Sequence, residues 1–171
     1  DRASFSLRSL SSKEELDAAV GLMATVLAQP TFPAAIVERE RGRSIAGLKE
    51  ALTQPDTIAG RLFLKGIYGD HPYGSAATPE SLARITRDDV VDFHKRYFVT
   101  SGASIAIVGD LDRAGAEKLA DRITAGLAKG DAPAATPPVV EPKQARLVAP
   151  HPSAQAHVLI GLPGLKRDDP D

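Results

Sequence analysis

The chain has no cysteine and no tryptophan, a single methionine, and aromatic residues at only 5% of its 171 positions. Without cysteine, disulfide frameworks, thiolate zinc sites and cysteine catalysis are all excluded. The 21 Lys and Arg residues nearly balance 22 Asp and Glu residues, so a net charge of −1 creates no field that attracts nucleic acid. No apolar run approaches the roughly 18 residues of a membrane span. We therefore expect neither a nucleic-acid partner nor a membrane span.

Several catalytic motifs are missing as well. The sequence contains neither His-Glu-x-x-His nor the inverse His-x-x-Glu-His, in which two imidazoles on neighbouring helix turns bind zinc. The Gly-x-Ser-x-Gly nucleophile motif and the phosphate-binding P-loop are also absent. With 43% hydrophobic and 25% charged residues, the composition is that of an ordinary folded domain. We expect the chain to fold without carrying a self-sufficient active site.

Apolar residues that recur every three or four positions predict that helices outnumber strands. Ser12 and Glu15 have the spacing of a capping box, and the helix that follows is expected to end near Pro30. Pro55 is expected to stop the second helix, and a third helix leads to a turn over residues 69–74. The predicted helix starts, each marked by a capping residue or a proline, are Ser12, Pro33, Thr78, Thr86 and Asp112.

Four segments show period-two alternation or β-branched runs and are predicted as strands. They are residues 4–10, 103–108, 146–148 and 156–160. Strands interspersed with a larger number of helices predict an α+β fold of layered type.

Proline marks the predicted domain organisation, because six of the 13 prolines lie between Pro133 and Pro152. This composition is typical of a stiff, extended connector, which we place at residues 129–143. Two short strands beyond it cannot form a stable domain by themselves. We therefore predict that residues 1–128 are the later part of a first domain and residues 144–171 the opening strands of a truncated second one. Both edges suggest an excerpt of a longer protein.

Few residues are candidates for chemistry. Glu38 lies near the start of the second helix in a Glu-Arg-Glu-Arg run, which usually forms a solvated face. Asp110 follows the strand predicted at 103–108, where turn formation explains it more simply than catalysis. The four histidines are isolated from one another, and we expect each to be a surface or structural residue rather than a metal ligand. They are His71, His94, His151 and His157.

Stretches in a fixed order along nearly the whole chain resemble the pitrilysin/insulinase family of zinc metallopeptidases, which includes the mitochondrial processing peptidase. No single stretch is decisive, but their joint order and spacing make an accidental match improbable. The stretches that carry the resemblance are residues 36–42 (Ile-Val-Glu-Arg-Glu-Arg-Gly), 67–74 (Ile-Tyr-Gly-Asp-His-Pro-Tyr-Gly), 105–110 (Ile-Ala-Ile-Val-Gly-Asp) and 155–164.

The resemblance implies a fold in which helices pack on one face of a mostly antiparallel sheet. It also implies that two half-proteins close into a chamber around unfolded, extended peptides. Members that cleave peptides carry His-x-x-Glu-His upstream and a third zinc ligand downstream, and Glu38 matches that third ligand by similarity. A carboxylate can complete such a His₂Glu site if two imidazoles exist elsewhere.

The edges of the chain look more like the accessory subunits of bacterial heterodimers than like the zinc-bearing ones. The resemblance then implies no catalytic or cofactor-binding residue here, zinc only in a catalytic partner subunit or in the full-length protein, and extended peptides as substrates. For a bacterial member it favours the periplasm over the cytoplasm. Two alternatives stay open: an excerpt of an active zinc metalloendopeptidase with Glu38 as third ligand, and a structural or binding module unrelated to peptidases.

Overall fold

Residues 3–131, 134–162 and 164–165 are described in a computed structural model of the chain. Two compact units are present, one built from residues 1–34 and 86–134 and the other from residues 35–85 and 135–171. The helices are α1 (Lys13–Ala28), α2 (Ala34–Ala51), α3 (Pro55–Tyr68), α4 (Pro79–Ala83), α5 (Arg87–Tyr97) and α6 (Arg113–Thr124). Short 3₁₀ turns cover Pro72–Gly74 and Thr100–Gly102. None of the helices in the described ranges combines the length and the apolar character that a bilayer crossing requires.

Capping residues start most helices where the sequence predicts. The hydroxyl groups of Thr78 and Thr86 accept hydrogen bonds from the backbone N–H groups of Ser81 and Asp89, and in each case a full capping box forms. The carboxylate of Asp112 accepts from the N–H of Gly115 in the same way. These three predicted starts are confirmed, because a cap depends on residues within one turn of each other.

Two details of the predicted helix ends are wrong. Ser12 precedes α1 but forms no capping box, because its hydroxyl donates to the Glu15 carboxylate instead of accepting from the backbone. Pro55 does not stop α2, which ends four residues earlier, but begins α3, where the missing proline N–H needs no partner.

The predicted α+β fold with a mostly antiparallel sheet is wrong. Across residues 3–131, 134–162 and 164–165 no strand ladder forms, and pairing is limited to an isolated parallel bridge between Val99 and Ala128. The four predicted strands leave apolar side chains in solvent, with Val108 99% and Ile160 84% exposed. Alternation favours an extended backbone, but a strand also needs a neighbour that presents N–H and C=O groups in register.

The first unit is organised around the α1–α6 pair. These two helices pack against each other, and Arg122 of α6 donates to the Asp17 carboxylate of α1 at 2.6 Å. Val20 of α1 is only 2% exposed, and Val99, which follows α5, is 8% exposed. Apolar burial on this small scale, together with polar ties between elements, defines the first unit.

Helix α5 fixes the loop that leaves α1. Arg87 donates to the carbonyl oxygens of Phe32 at 2.8 Å and of Thr31 at 3.2 Å. Phe32 has a φ of +43°, in the left-handed region that a bulky L residue rarely adopts. The hydrogen bonds from Arg87 compensate for part of that backbone strain, which costs on the order of 1–3 kcal/mol at a single residue.

Arginine side chains also tie the second unit together. Arg61 of α3 donates to the carbonyl oxygen of Ala77, and Arg41 of α2 donates to that of Ile85 at 2.7 Å. The segment that contains α4 is therefore anchored near both of its ends. From the later stretch of this unit, residues 135–171, Leu147 lies against Gly66 of α3. A Cβ atom at Gly66 would be only 2.8 Å from the Leu147 Cδ1 atom. The side chain of Leu147 thus packs on α3.

Candidate functional site

Glu38, the candidate metal ligand, lies in the second turn of α2, and its side chain is 58% exposed. Its carboxylate accepts a hydrogen bond from the guanidinium of Arg41, one turn further along the helix. Arg41 is only 27% exposed, and its other terminal nitrogen donates to the carbonyl oxygen of Ile85. The Glu38 carboxylate therefore completes a three-part link between α2 and the segment that follows α4.

The neighbouring charges in α2 form a second set of ion pairs. Glu40 accepts from Arg39 at 2.9 Å and from Arg43 at 3.3 Å. The hydrogen bond from Arg39, assisted by the positive charge of Arg43, holds the pKa of the Glu40 carboxyl below its usual value. These side chains are largely exposed, so the predicted solvated face of the second helix is confirmed.

His71 is a structural residue at the turn after α3. Its Nδ1 atom accepts a hydrogen bond from the Tyr73 backbone N–H at 3.1 Å, so the proton lies on Nε2. Nε2 is 2.9 Å from the Pro137 carbonyl oxygen, to which it donates. The ring also packs edge-on against Tyr73, with centroids 4.7 Å apart. Because both ring nitrogens are engaged with the backbone, neither is available to a metal ion.

His94 has a structural role in the first unit. Its Nε2 atom donates to the carbonyl oxygen of Leu27 at 2.8 Å, in the last turn of α1, where carbonyl groups lack partners within the helix. The imidazole also packs against the rings of Phe98 and Phe32, with centroid distances of 4.6 and 5.7 Å. The predicted structural role is confirmed for His71 and His94.

The remaining candidates do not converge. His151, His157 and Asp110 are all exposed, and Asp110 lies in a bend, which agrees with its predicted role in turn formation. In the ranges that the structure describes, no three His, Asp or Glu side chains lie close enough together to hold a metal ion. These residues do not assemble a zinc centre by themselves. Glu38 as a third zinc ligand stays a prediction that depends on imidazoles from outside them.

Sequence reasoning overlooked the arginines that link elements through backbone carbonyls. Arg41 had a visible signal, because it interrupts the apolar stripe of its helix. Arg61 and Arg87 had none, because the atoms they contact are main-chain oxygens, which every residue carries. An arginine that interrupts the apolar stripe of a helix is thus the signal in the sequence for a side chain that contacts another segment.

The family model described as the peptidase M16 inactive domain matches residues 84–171, just over half of the chain. The chain therefore belongs to this family, and the resemblance to pitrilysin/insulinase zinc metallopeptidases is confirmed. A crystal structure described as the peptidase M16 inactive domain from Pseudomonas fluorescens superimposes with a TM-score of 0.75 and 34% identity. That match covers 78% of this chain and 33% of the solved one.

Two curated relatives support the same assignment. An uncharacterized zinc protease, ML0855, from Mycobacterium leprae is 30% identical over 100 residues, which are 57% of this chain and 22% of that protein. Presequence protease 1 of Arabidopsis thaliana, chloroplastic/mitochondrial, is 31% identical over 67 residues, 38% of this chain and 6% of that protein. The chain spans about a fifth of the first relative and much less of the second.

Proposed function

We propose that this chain is a non-catalytic part of an M16 zinc peptidase, forms part of a peptide-binding chamber and pairs with a zinc-bearing subunit. The observation that carries the proposal is the link from Glu38 through Arg41 to the carbonyl oxygen of Ile85. The one carboxylate that matches a family zinc ligand is occupied by a guanidinium, which in turn is fixed by a backbone group. The description of the matched family as an inactive domain supports this role.

The chemistry of the available donors points the same way. A catalytic zinc site uses three protein ligands and leaves one position for water. For Glu38 to be a ligand, its carboxylate would have to leave Arg41, which would then lose its counter-ion while it is largely shielded from solvent. The ring nitrogens of His71 that a metal would need are both engaged with the backbone.

The expected substrates are extended peptides, as the family membership suggests. A chamber wall can bind an extended peptide through main-chain hydrogen bonds, which give affinity without strict sequence requirements. The non-catalytic chain would then contribute binding surface, while the zinc-bearing subunit would supply the metal and the activated water.

A second function is favoured by one observation. The mycobacterial relative is named a zinc protease, and this chain aligns with a fifth of it. In this second function, the chain is part of an active zinc metalloendopeptidase, whose His-x-x-Glu-His segment lies upstream and whose third ligand is Glu38. The hypothesis of a module unrelated to peptidases is wrong, because the chain belongs to the M16 family.

Zinc uptake by the purified full-length protein, upstream residues included, separates these two functions, because Glu38 completes a zinc site only together with two imidazoles from outside this chain. We expect less than one-tenth of an equivalent of zinc after equilibration and desalting, measured by inductively coupled plasma mass spectrometry, and no difference for Glu38→Gln. Glu14→Gln in the first turn of α1 is the matched control. About one zinc per chain, lost in Glu38→Gln and retained in Glu14→Gln, would contradict the non-catalytic assignment.

Peptide hydrolysis tests the pairing. The chain is mixed with an M16 subunit that carries His-x-x-Glu-His, and cleavage of a fluorogenic peptide is followed. We expect no cleavage by the chain alone, cleavage by the mixture, and the same rate with Glu38→Gln. A mixture no more active than the zinc-bearing subunit by itself would refute the pairing.

A further inference from the structure

A groove of about 490 Å³ lies in the second unit, within the size range of natural ligand clefts. Its floor is apolar and is formed by Leu52, Ile58 and Leu62, which are half-buried. Arg61 and Lys65 of α3 add positive charge to its lining, and residues 74–76, which also border the groove, are called its wall. A cleft that combines an apolar floor with cationic side chains suits a ligand that is partly apolar and partly anionic.

The two cations differ in how far they are already neutralised. Lys65 donates to the Asp70 carboxylate at 2.8 Å and to the Gly69 carbonyl oxygen at 2.8 Å. Arg61 is half-buried and donates to the Ala77 carbonyl oxygen, but no carboxylate of the described residues lies within ion-pair distance of it. Arg61 is therefore the cation of the groove with donors to spare for an incoming anion.

The wall of the groove offers main-chain pairing. Ser75 has an extended conformation, with φ −79° and ψ 139°. Within the described ranges, the backbone N–H groups of Ala76 and Ala77 donate to no protein acceptor. An extended backbone with free donors is the element to which a peptide adds as a further strand.

The chain itself supplies a precedent for a segment that packs on α3. Ala149 borders the groove, and the side chain of Leu147, two residues earlier, lies against Gly66 one turn after Leu62. The absence of a side chain at Gly66 leaves room for Leu147. A peptide placed in the groove would continue this packing along the same helix.

We propose that the groove binds an extended peptide through a carboxylate on Arg61 and an apolar side chain on the Leu52, Ile58 and Leu62 floor. This inference rests on the proposed function and deepens it, because it names the charge class of the peptide. The carboxylate is that of an acidic side chain, because an extended segment that pairs with the backbone beside Arg61 presents its side chains to the groove.

Fluorescence anisotropy of labelled ten-residue peptides with the purified chain tests the proposal. The peptides are amidated, with Leu and Val on both sides of a central Glu or Gln, and a third peptide has the central Gln and a free C-terminus. For wild type we expect the Glu peptide to bind at least about tenfold more tightly than the amidated Gln peptide. A gain in affinity for the free C-terminus alone would contradict the assignment to an acidic side chain.

Substitutions assign the effect to the groove. Arg61→Gln should abolish the difference between the peptides, whereas Arg113→Gln, an exposed arginine in α6 of the other unit, should leave it unchanged. If circular dichroism shows that Arg61→Gln is unfolded, Arg61→Lys keeps the charge and should retain a preference for the carboxylate.

Equal affinity of wild type for all three peptides would overturn the groove proposal while leaving peptide binding intact. A carboxylate preference that survives in folded Arg61→Gln would overturn it too. Zinc uptake and pairing with a zinc-bearing subunit test the proposed function separately, so the two can fail independently.

Discussion

Replacing Gly126 by alanine is expected to destabilise the first unit. A Cβ atom at Gly126 would lie 2.5 Å from the Cβ atom of Ala28 at the end of α1, closer than real Cβ contacts. Both atoms are bonded directly to the backbone, so no rotamer change separates them, and α1 and the turn that follows α6 must move apart. Overpacking of this kind typically costs about 1–3 kcal/mol. We expect urea denaturation, followed by circular dichroism, to show this loss in the free energy of unfolding.

A matched glycine gives the opposite expectation. Gly21 lies inside α1, and a Cβ atom there meets nothing within 4 Å. Gly21→Ala should raise the free energy of unfolding by up to about 1 kcal/mol, because alanine is the better helix former. Two changes of identical chemistry are thus expected to have opposite signs, because Gly21 lies in a helix with open space around it and Gly126 lies in a turn against Ala28.

A double-mutant cycle isolates that contact. In the Ala28→Gly background the clash is absent, so Gly126→Ala should cost close to nothing, and the coupling free energy should be about 1–3 kcal/mol. The reasoning would be refuted if Gly126→Ala cost the same in both backgrounds, or if it stabilised the wild-type chain. Either result would mean that the turn after α6 does not contact the end of α1 at this point.

Three further outcomes are expected. Thr86→Ala should lower the free energy of unfolding by about 1 kcal/mol in urea denaturation, because the cap of α5 is lost. The Thr86 hydroxyl and backbone N–H hold the pKa of the Asp89 carboxyl below its ordinary value. Stability from that carboxylate is therefore present above about pH 3.9 and lost as pH falls below it, and melting temperatures should show a smaller acid-induced drop in Asp89→Asn. His94→Ala should lower the free energy of unfolding by roughly 2 kcal/mol, because the hydrogen bond to Leu27 and the stacking on Phe98 are lost. His94→Gln should recover part of that stability.

The surroundings of Glu38 show which contacts of a site a sequence pattern can predict and which it cannot. The Glu-Arg-Glu-Arg run correctly predicts a charged, solvated helix face, because pairs three and four residues apart follow from the helix repeat. The guanidinium that binds Glu38 is one such neighbour and could have been predicted. Its second contact, the carbonyl oxygen of Ile85, could not, since 44 residues separate the two partners.

The groove was not predicted at all. Arg61, Leu62 and Lys65 are close in sequence, but Leu52, residues 74–76 and Ala149 join them only after the chain has turned back several times. No local pattern distinguishes a glycine or alanine that borders a cleft from one that fills a turn. A site of this kind becomes visible only when exposure and free hydrogen-bond donors are known.

The sequence by itself determined where α4, α5 and α6 begin, because a capping side chain acts on backbone groups within one turn of it. It also indicated family membership, because the order of the matching stretches along the chain can be recognised without the structure. Tertiary structure alone decided that the four predicted strands stay unpaired in the described residues, and which carbonyl oxygens the arginines bind. Both depend on partners distant along the chain, and local propensity contains no information about whether such a partner arrives in register.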